Sequence, residues 1–90
     1  MSVKKARKKP VEIEFIQYIG SNKQELYDWS NGIIHLAYES SDTYVFVINT
    51  LEGTMTVNMN DYIVKGINGE FYAVKPEIFE KTYEVLEKWN

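Results

Sequence analysis

Ninety residues give room for one domain with a single core, and 44% hydrophobic with 14% aromatic residues mark a chain that folds. There is no cysteine, which excludes disulfides, thiolate metal sites and thiol nucleophiles. The net charge of −3 is unevenly spread: Lys4, Lys5, Arg7, Lys8 and Lys9 are five of the ten basic residues, and residues 10–90 set the other five against all thirteen carboxylates, a balance of −8.

That asymmetry predicts a flexible basic tail over residues 1–9 and a single acidic domain over 10–90. An acidic body repels phosphate backbones, so a nucleic-acid role would rest on the tail alone, for which a solvated terminus is the plainer reading. The basic start resembles that of a signal peptide, but the residues after it alternate apolar with charged. No run approaches the roughly 18 apolar residues of a membrane helix. A cytoplasmic protein is expected.

Val11–Ile19 alternates Val11, Ile13 and Phe15 with Glu12 and Glu14, the period of a half-buried strand, and Gly20 breaks it. Ser21 with Gln24, or Asn22 with Glu25, has capping-box spacing. A helix is expected over about residues 22–30, with Leu26 and Trp29 on one face and Asn31-Gly32 as a left-handed stop. Ile33–Tyr38 reads as the second strand and Tyr44–Thr50 as the third. Leu51-Glu52-Gly53 fits a three-residue hairpin loop before a strand over Thr54–Asn58.

After the turn Asn58–Asp61, the segments Asp61–Ile67 and Glu70–Val74 flank Asn68-Gly69, the signature of a two-residue type I′ hairpin. Lys75-Pro76 opens a last helix, with Glu77 and Glu80 at its positive end, Lys88 at its negative end, and a stripe of Ile78, Phe79, Thr82, Tyr83 and Leu86 for packing. The order β-α-β-β-β-β-β-α predicts an α+β domain. Its sheet is mostly antiparallel with about five or six strands, with a short helix after the first strand and a C-terminal helix packed on the sheet.

The two-residue turn sets Lys65 opposite Tyr72 and Val64 opposite Ala73. Tyr62, Val64, Phe71 and Ala73 then form the core face, with Phe71 over the bare backbone of Gly66. Lys65, Glu70 and Tyr72 share the other face, extended by Lys75, as the candidate binding surface. A Lys beside a Tyr ring offers a cation and a stacking plane together, which suits a nucleotide or an acidic protein patch. A plainer alternative is that the C-terminal helix covers this face.

His35 is the only histidine and alternates with Ile34 and Leu36, toward solvent or a rim. With no second histidine and no carboxylate ligand spacing, neither a metal nor another cofactor is expected. Glu12 and Glu14 read as a solvated strand face, since acid–base carboxylate pairs come from different elements across a cleft. The five glycines carry no phosphate-loop spacing. Seven tyrosines suit an interface as well as a core, so a homo-oligomer is among the expectations.

Three segments carry a resemblance: Gly53-Thr54-Met55, then Asp61-Tyr62-Ile63-Val64-Lys65-Gly66-Ile67-Asn68-Gly69-Glu70-Phe71-Tyr72, then Lys75-Pro76-Glu77-Ile78-Phe79 to Thr82-Tyr83. Together with Lys9-Pro10-Val11 through Gln17-Tyr18, they resemble a family of small phage and prophage proteins of Gram-positive hosts. Met59-Asn60 stands where that pattern has Pro-Gly, implying a turn of different shape. Ala73-Val74 stands where many have Pro-Cys, so that cysteine is no obligatory nucleophile. The resemblance implies a small accessory protein of the host cytoplasm that acts by binding. With no catalytic constellation in the sequence, the leading expectation is a non-enzymatic binder of a host factor, a host-defence inhibitor being one form of it. The alternative is a sponge that sequesters a small nucleotide-type signal in an oligomer. An enzyme or a nucleic-acid binder ranks below both.

Overall fold

The computed structural model describes residues 2–86. Its elements run β1 (Glu14–Gln17), α1 (Lys23–Trp29), β2 (Ile34–Ser40), β3 (Thr43–Thr50), β4 (Gly53–Thr56), β5 (Tyr62–Lys65), β6 (Phe71–Val74) and α2 (Pro76–Thr82). The α+β class and the element order are those expected. The single sheet is not: the strands divide into two antiparallel sheets, β1-β5-β6 and β2-β3-β4. The division falls at Asn58–Asp61, where the chain leaves β4 and continues the β1 ladder instead. Tyr18 N–H donates to the Asp61 carbonyl and Asn60 N–H to the Tyr18 carbonyl, both at 2.8 Å.

Asn60 takes the left-handed conformation (φ 73) that a glycine would supply. The buried Asp61 carboxylate accepts the Asn58 N–H at 2.9 Å and closes the loop.

The two glycine hairpins exchange their expected lengths. Thr50 pairs with Gly53, leaving a two-residue loop, Leu51–Glu52. Gly66 N–H donates to the Glu70 carbonyl at 2.7 Å and Gly69 N–H to the Gly66 carbonyl at 3.0 Å, so the last loop is the three residues Ile67, Asn68 and Gly69. Within it only Gly69 (φ 80) is left-handed, the glycine-bulge form of a three-residue hairpin. Val64 therefore faces Tyr72 and Lys65 faces Phe71, one residue from the predicted register. A slip of one exchanges the faces.

Directly paired residues share a face, so Glu14, Ile16, Ile63, Lys65, Phe71 and Ala73 point one way. Ile16, Ile63, Phe71 and Ala73 join the main core with Tyr18, Leu26, Ile34, Phe46, Ile48 and Val57. The opposite face, with Phe15, Tyr62, Val64, Tyr72 and Val74, is covered by α2. Phe79 stacks on Tyr62 with centroids 4.1 Å apart and leans on Phe15 at 4.8 Å.

Both helices are shorter than their sequence limits. At α1 no capping box forms: the Asn22 side chain turns back, accepting from Ile19 N–H at 3.0 Å and donating to the Gln17 carbonyl at 2.8 Å. Asn31 (φ 54) and Gly32 (φ 85) end it as expected. At α2 Pro76 holds the first turn, but the helix stops at Thr82, whose hydroxyl back-bonds to the Ile78 carbonyl at 2.8 Å. Tyr83 is extended, so the expected stripe does not continue to Leu86, and Ile78 and Leu86 are exposed. Lys88 lies outside the described residues. No helix of the described residues is long and apolar enough to cross a membrane.

Gly69 tests the hairpin directly. A β-carbon there would meet nothing within 4 Å among the described residues, and the cost of adding one is the strain of the left-handed backbone. Gly69→Val is expected to lose about 2 kcal/mol, roughly 10 °C in Tm, while Gly69→Asn stays close to wild type. Equal melting of all three proteins would show that the loop is not held left-handed at this position.

Candidate functional site

The register separates the four residues expected to form one surface. Lys65 sits on the core side of its sheet, its ammonium 5.8 Å from the centre of the Phe71 ring. Tyr72 sits on the α2 side, its hydroxyl 3.1 Å from that of Tyr83. Glu70 folds its carboxylate over Gly66, in the space a β-carbon would take, and accepts the Asn68 N–H at 3.1 Å. The compensation for the strand glycine is thus a carboxylate and not the Phe71 ring. Lys75 is exposed at the start of α2. Lys65 does lie beside an aromatic ring, but the ring is Phe71, and Tyr72 belongs to the packing beneath α2.

What gathers around Lys65 on β5 comes from three other elements. β1 sets Glu14 directly opposite Lys65, an acid against a base on one face. α1 brings Trp29, whose indole N–H reaches Glu14 Oε1 at 3.4 Å. The indole meets the Phe71 ring edge-on, centroids 5.0 Å apart. Phe71 is buried and Trp29 half-buried, so the rings stand at the rim of the core where Glu14 and Lys65 face each other across the ladder. Glu14 and Trp29 were not singled out as site residues in the sequence. The signal was there in Trp29 on the same helix face as Leu26, but only the corrected register places Lys65 and Phe71 beneath it.

On the other face burial works on a proton. Desolvation pushes the Tyr72 phenol up to about 12, helped by its hydrogen bond to Tyr83, by the Tyr83 charge and by Glu70. The folded state holds this proton more tightly than the unfolded chain, whose phenol titrates near 10. The contribution is complete below pH 10 and is lost as pH rises toward 12.

A groove of about 290 Å³ lies between α1 and β2, lined by Lys23, Gln24, Tyr27, His35, Leu36 and Phe46. The Lys23 ammonium is engaged at its edge, bonded to the Gly20 carbonyl at 3.0 Å and 5.4 Å from the centre of the Tyr18 ring. His35 is opposite Val47 on β3, and its buried Nδ1 has no hydrogen-bond partner among the described residues. Among the described residues no group of three or more His, Cys, Asp or Glu side chains is placed to hold a metal ion. No protein-family model, curated protein or solved structure matches the chain.

Ultraviolet titration checks the tyrosine pair. One tyrosine of the wild type is expected to ionise last, near pH 12, and to vanish from the curve of Tyr72→Phe, whose stability also falls less steeply above pH 10. All tyrosines ionising together near pH 10 would refute the pair.

Proposed function

We propose that this chain is a non-enzymatic phage accessory protein that binds a host protein in the host cytoplasm, with inhibition of a host defence as its role. The phage provenance rests on the sequence pattern from Asp61 to Tyr83. The mode of action rests on one structural observation, the Glu14–Trp29–Phe71–Lys65 cluster. A tryptophan held edge-on against a buried ring loses little freedom when a partner covers it, and such residues carry a large share of binding energy at protein interfaces. Opposite charges beside it fix the orientation of a partner.

A second reading, sequestration of a small nucleotide-type signal, draws on the same residues. A half-buried indole near an ammonium can stack a base while the cation meets its phosphate.

The two readings part on a charge exchange. Lys65→Glu sets two carboxylates against each other, whereas Glu14→Lys with Lys65→Glu restores the pair in reverse. For a protein partner, recovered with the tagged chain from the Gram-positive host, we expect both variants to weaken retention by about tenfold or more. Rescue of phage plating on a defended host is expected to fall in parallel. Full retention and full rescue by both variants would refute the surface. A nucleotide bound by the wild type with no retained protein would favour the second reading.

A further inference from the structure

Among the described residues β2 has a neighbour only on its β3 side, so the sheet β2-β3-β4 ends there in an open edge. Asn49 N–H donates to the Ile33 carbonyl at 3.0 Å. Strand alternation therefore turns the amides and carbonyls of His35 and Ala37 toward β3, and those of Ile34, Leu36 and Tyr38 toward the edge. Ser30 Oγ meets the Ile34 N–H there at 2.9 Å. From Ile34 to Tyr38 the edge carries no Lys, Arg, carboxylate or proline, the devices that ordinarily keep a strand from pairing with another chain. A bulge between Tyr38 and Ser40 ends it.

Apolar side chains stand uncovered along this edge: Leu36 is 52% exposed, Tyr38 66%, Tyr44 62%, and Tyr27 on α1 48%. The α1–β2 groove, with Leu36 and Phe46 in its lining, opens beside them.

The geometry points to a second copy of this chain as the occupant, the two β2 strands pairing antiparallel about a two-fold axis at Ala37. In that register Leu36 of each copy faces Tyr38 of the other, and the outward amides and carbonyls of these two residues meet across the axis. Leu36, Tyr38 and Phe46 point to one face, so Tyr38 of one copy is set beside Leu36 and Phe46 of the other, at the groove. Knob and hole belong to the same chain, as a two-fold interface requires.

The area fits a modest dimer. At roughly 200 Å² for a whole aromatic side chain, the exposed parts of the three tyrosines and Leu36 come to about 400 Å² per copy. That is about half of the ~800 Å² per partner of a stable interface, and the paired backbones and groove walls supply more.

Sedimentation of the full chain tests this, with amide exchange as the second readout. The wild type is expected at twice 10.6 kDa, dissociating on dilution. Tyr38→Lys is expected at a single chain mass at every concentration, with the melting of dilute protein unchanged because Tyr38 is exposed. Leu36 and Tyr38 amides should gain protection as wild-type concentration rises, while His35 and Ala37 amides stay protected in both proteins. Lys65→Glu, on the other surface, should remain a dimer. A wild type that stays at one chain mass up to about millimolar concentration would overturn the proposal. So would a dimer that survives Tyr38→Lys or leaves the Leu36 and Tyr38 amides exchanging freely.

Discussion

Ile63 and Val64 are neighbours on one strand, point to opposite faces, and are both fully buried. The rest of the fold answers that constraint. A strand buried on both sides needs a cover on each, and ninety residues leave little chain for a second layer. The Ile63 side is covered by α1 and the sheet β2-β3-β4. The Val64 side is covered by a helix of only seven residues, which works because its one buried residue is Phe79. That ring lies on Tyr62 with 6° between planes and reaches Phe15 and Tyr83 as well. Its burial contributes about 2–3 kcal/mol, enough to hold a helix too short to persist alone.

The functional surfaces follow from where these covers stop. Ile34, Phe46 and Ile48 lie on the core-facing side of their sheet and are buried, but Leu36, Tyr38 and Tyr44 continue the same side and are exposed. The β2–β3 hairpin outruns the sheet that packs on it. The β1-β5-β6 sheet ends differently, its core-facing row passing from Ile63 to Lys65 and from Ile16 to Glu14. Trp29 spans the boundary there, ring against Phe71 and N–H toward Glu14. One sheet therefore closes its margin with charge, and the other leaves aromatic rings at its margin.

Much of this was legible in residues that act locally. Gly20, Asn31-Gly32 and Pro76 mark the ends of elements because each sets its own backbone dihedrals, and the structure places them as read. The hairpin at Asn68-Gly69 was legible as a turn but not in its length. Asn-Gly fits a two-residue loop with both residues left-handed, or a three-residue loop with only the glycine so. Here the second is found, and it puts Phe71 and Ala73 on the core side with Ile63 and Tyr72 on the α2 side with Val64. Tertiary packing decides that, and no window of local sequence contains it. The division into two sheets was hidden for a related reason. Asn58–Asp61 reads as another hairpin turn, yet its partners are Tyr18 and Gln17, some forty residues earlier.

The same slip explains why Lys65 was found with the wrong ring. Two consecutive rings on the facing strand can stand opposite the lysine, and a single-residue shift exchanges Tyr72 for Phe71. Their fates then diverge by environment. Phe71 has no polar atom and enters the main core, where the Lys65 stem can cross its face and keep the ammonium in water. Tyr72 has a hydroxyl that must be satisfied, and it finds the hydroxyl of Tyr83 on the chain that turns extended just beyond α2. Had the helix run on through Tyr83, that hydroxyl would follow the helical path instead of the extended one. The early stop at Thr82 and the Tyr72–Tyr83 pair are thus one arrangement, the chain giving up helical hydrogen bonds to set a second ring on Phe79 and a partner on Tyr72.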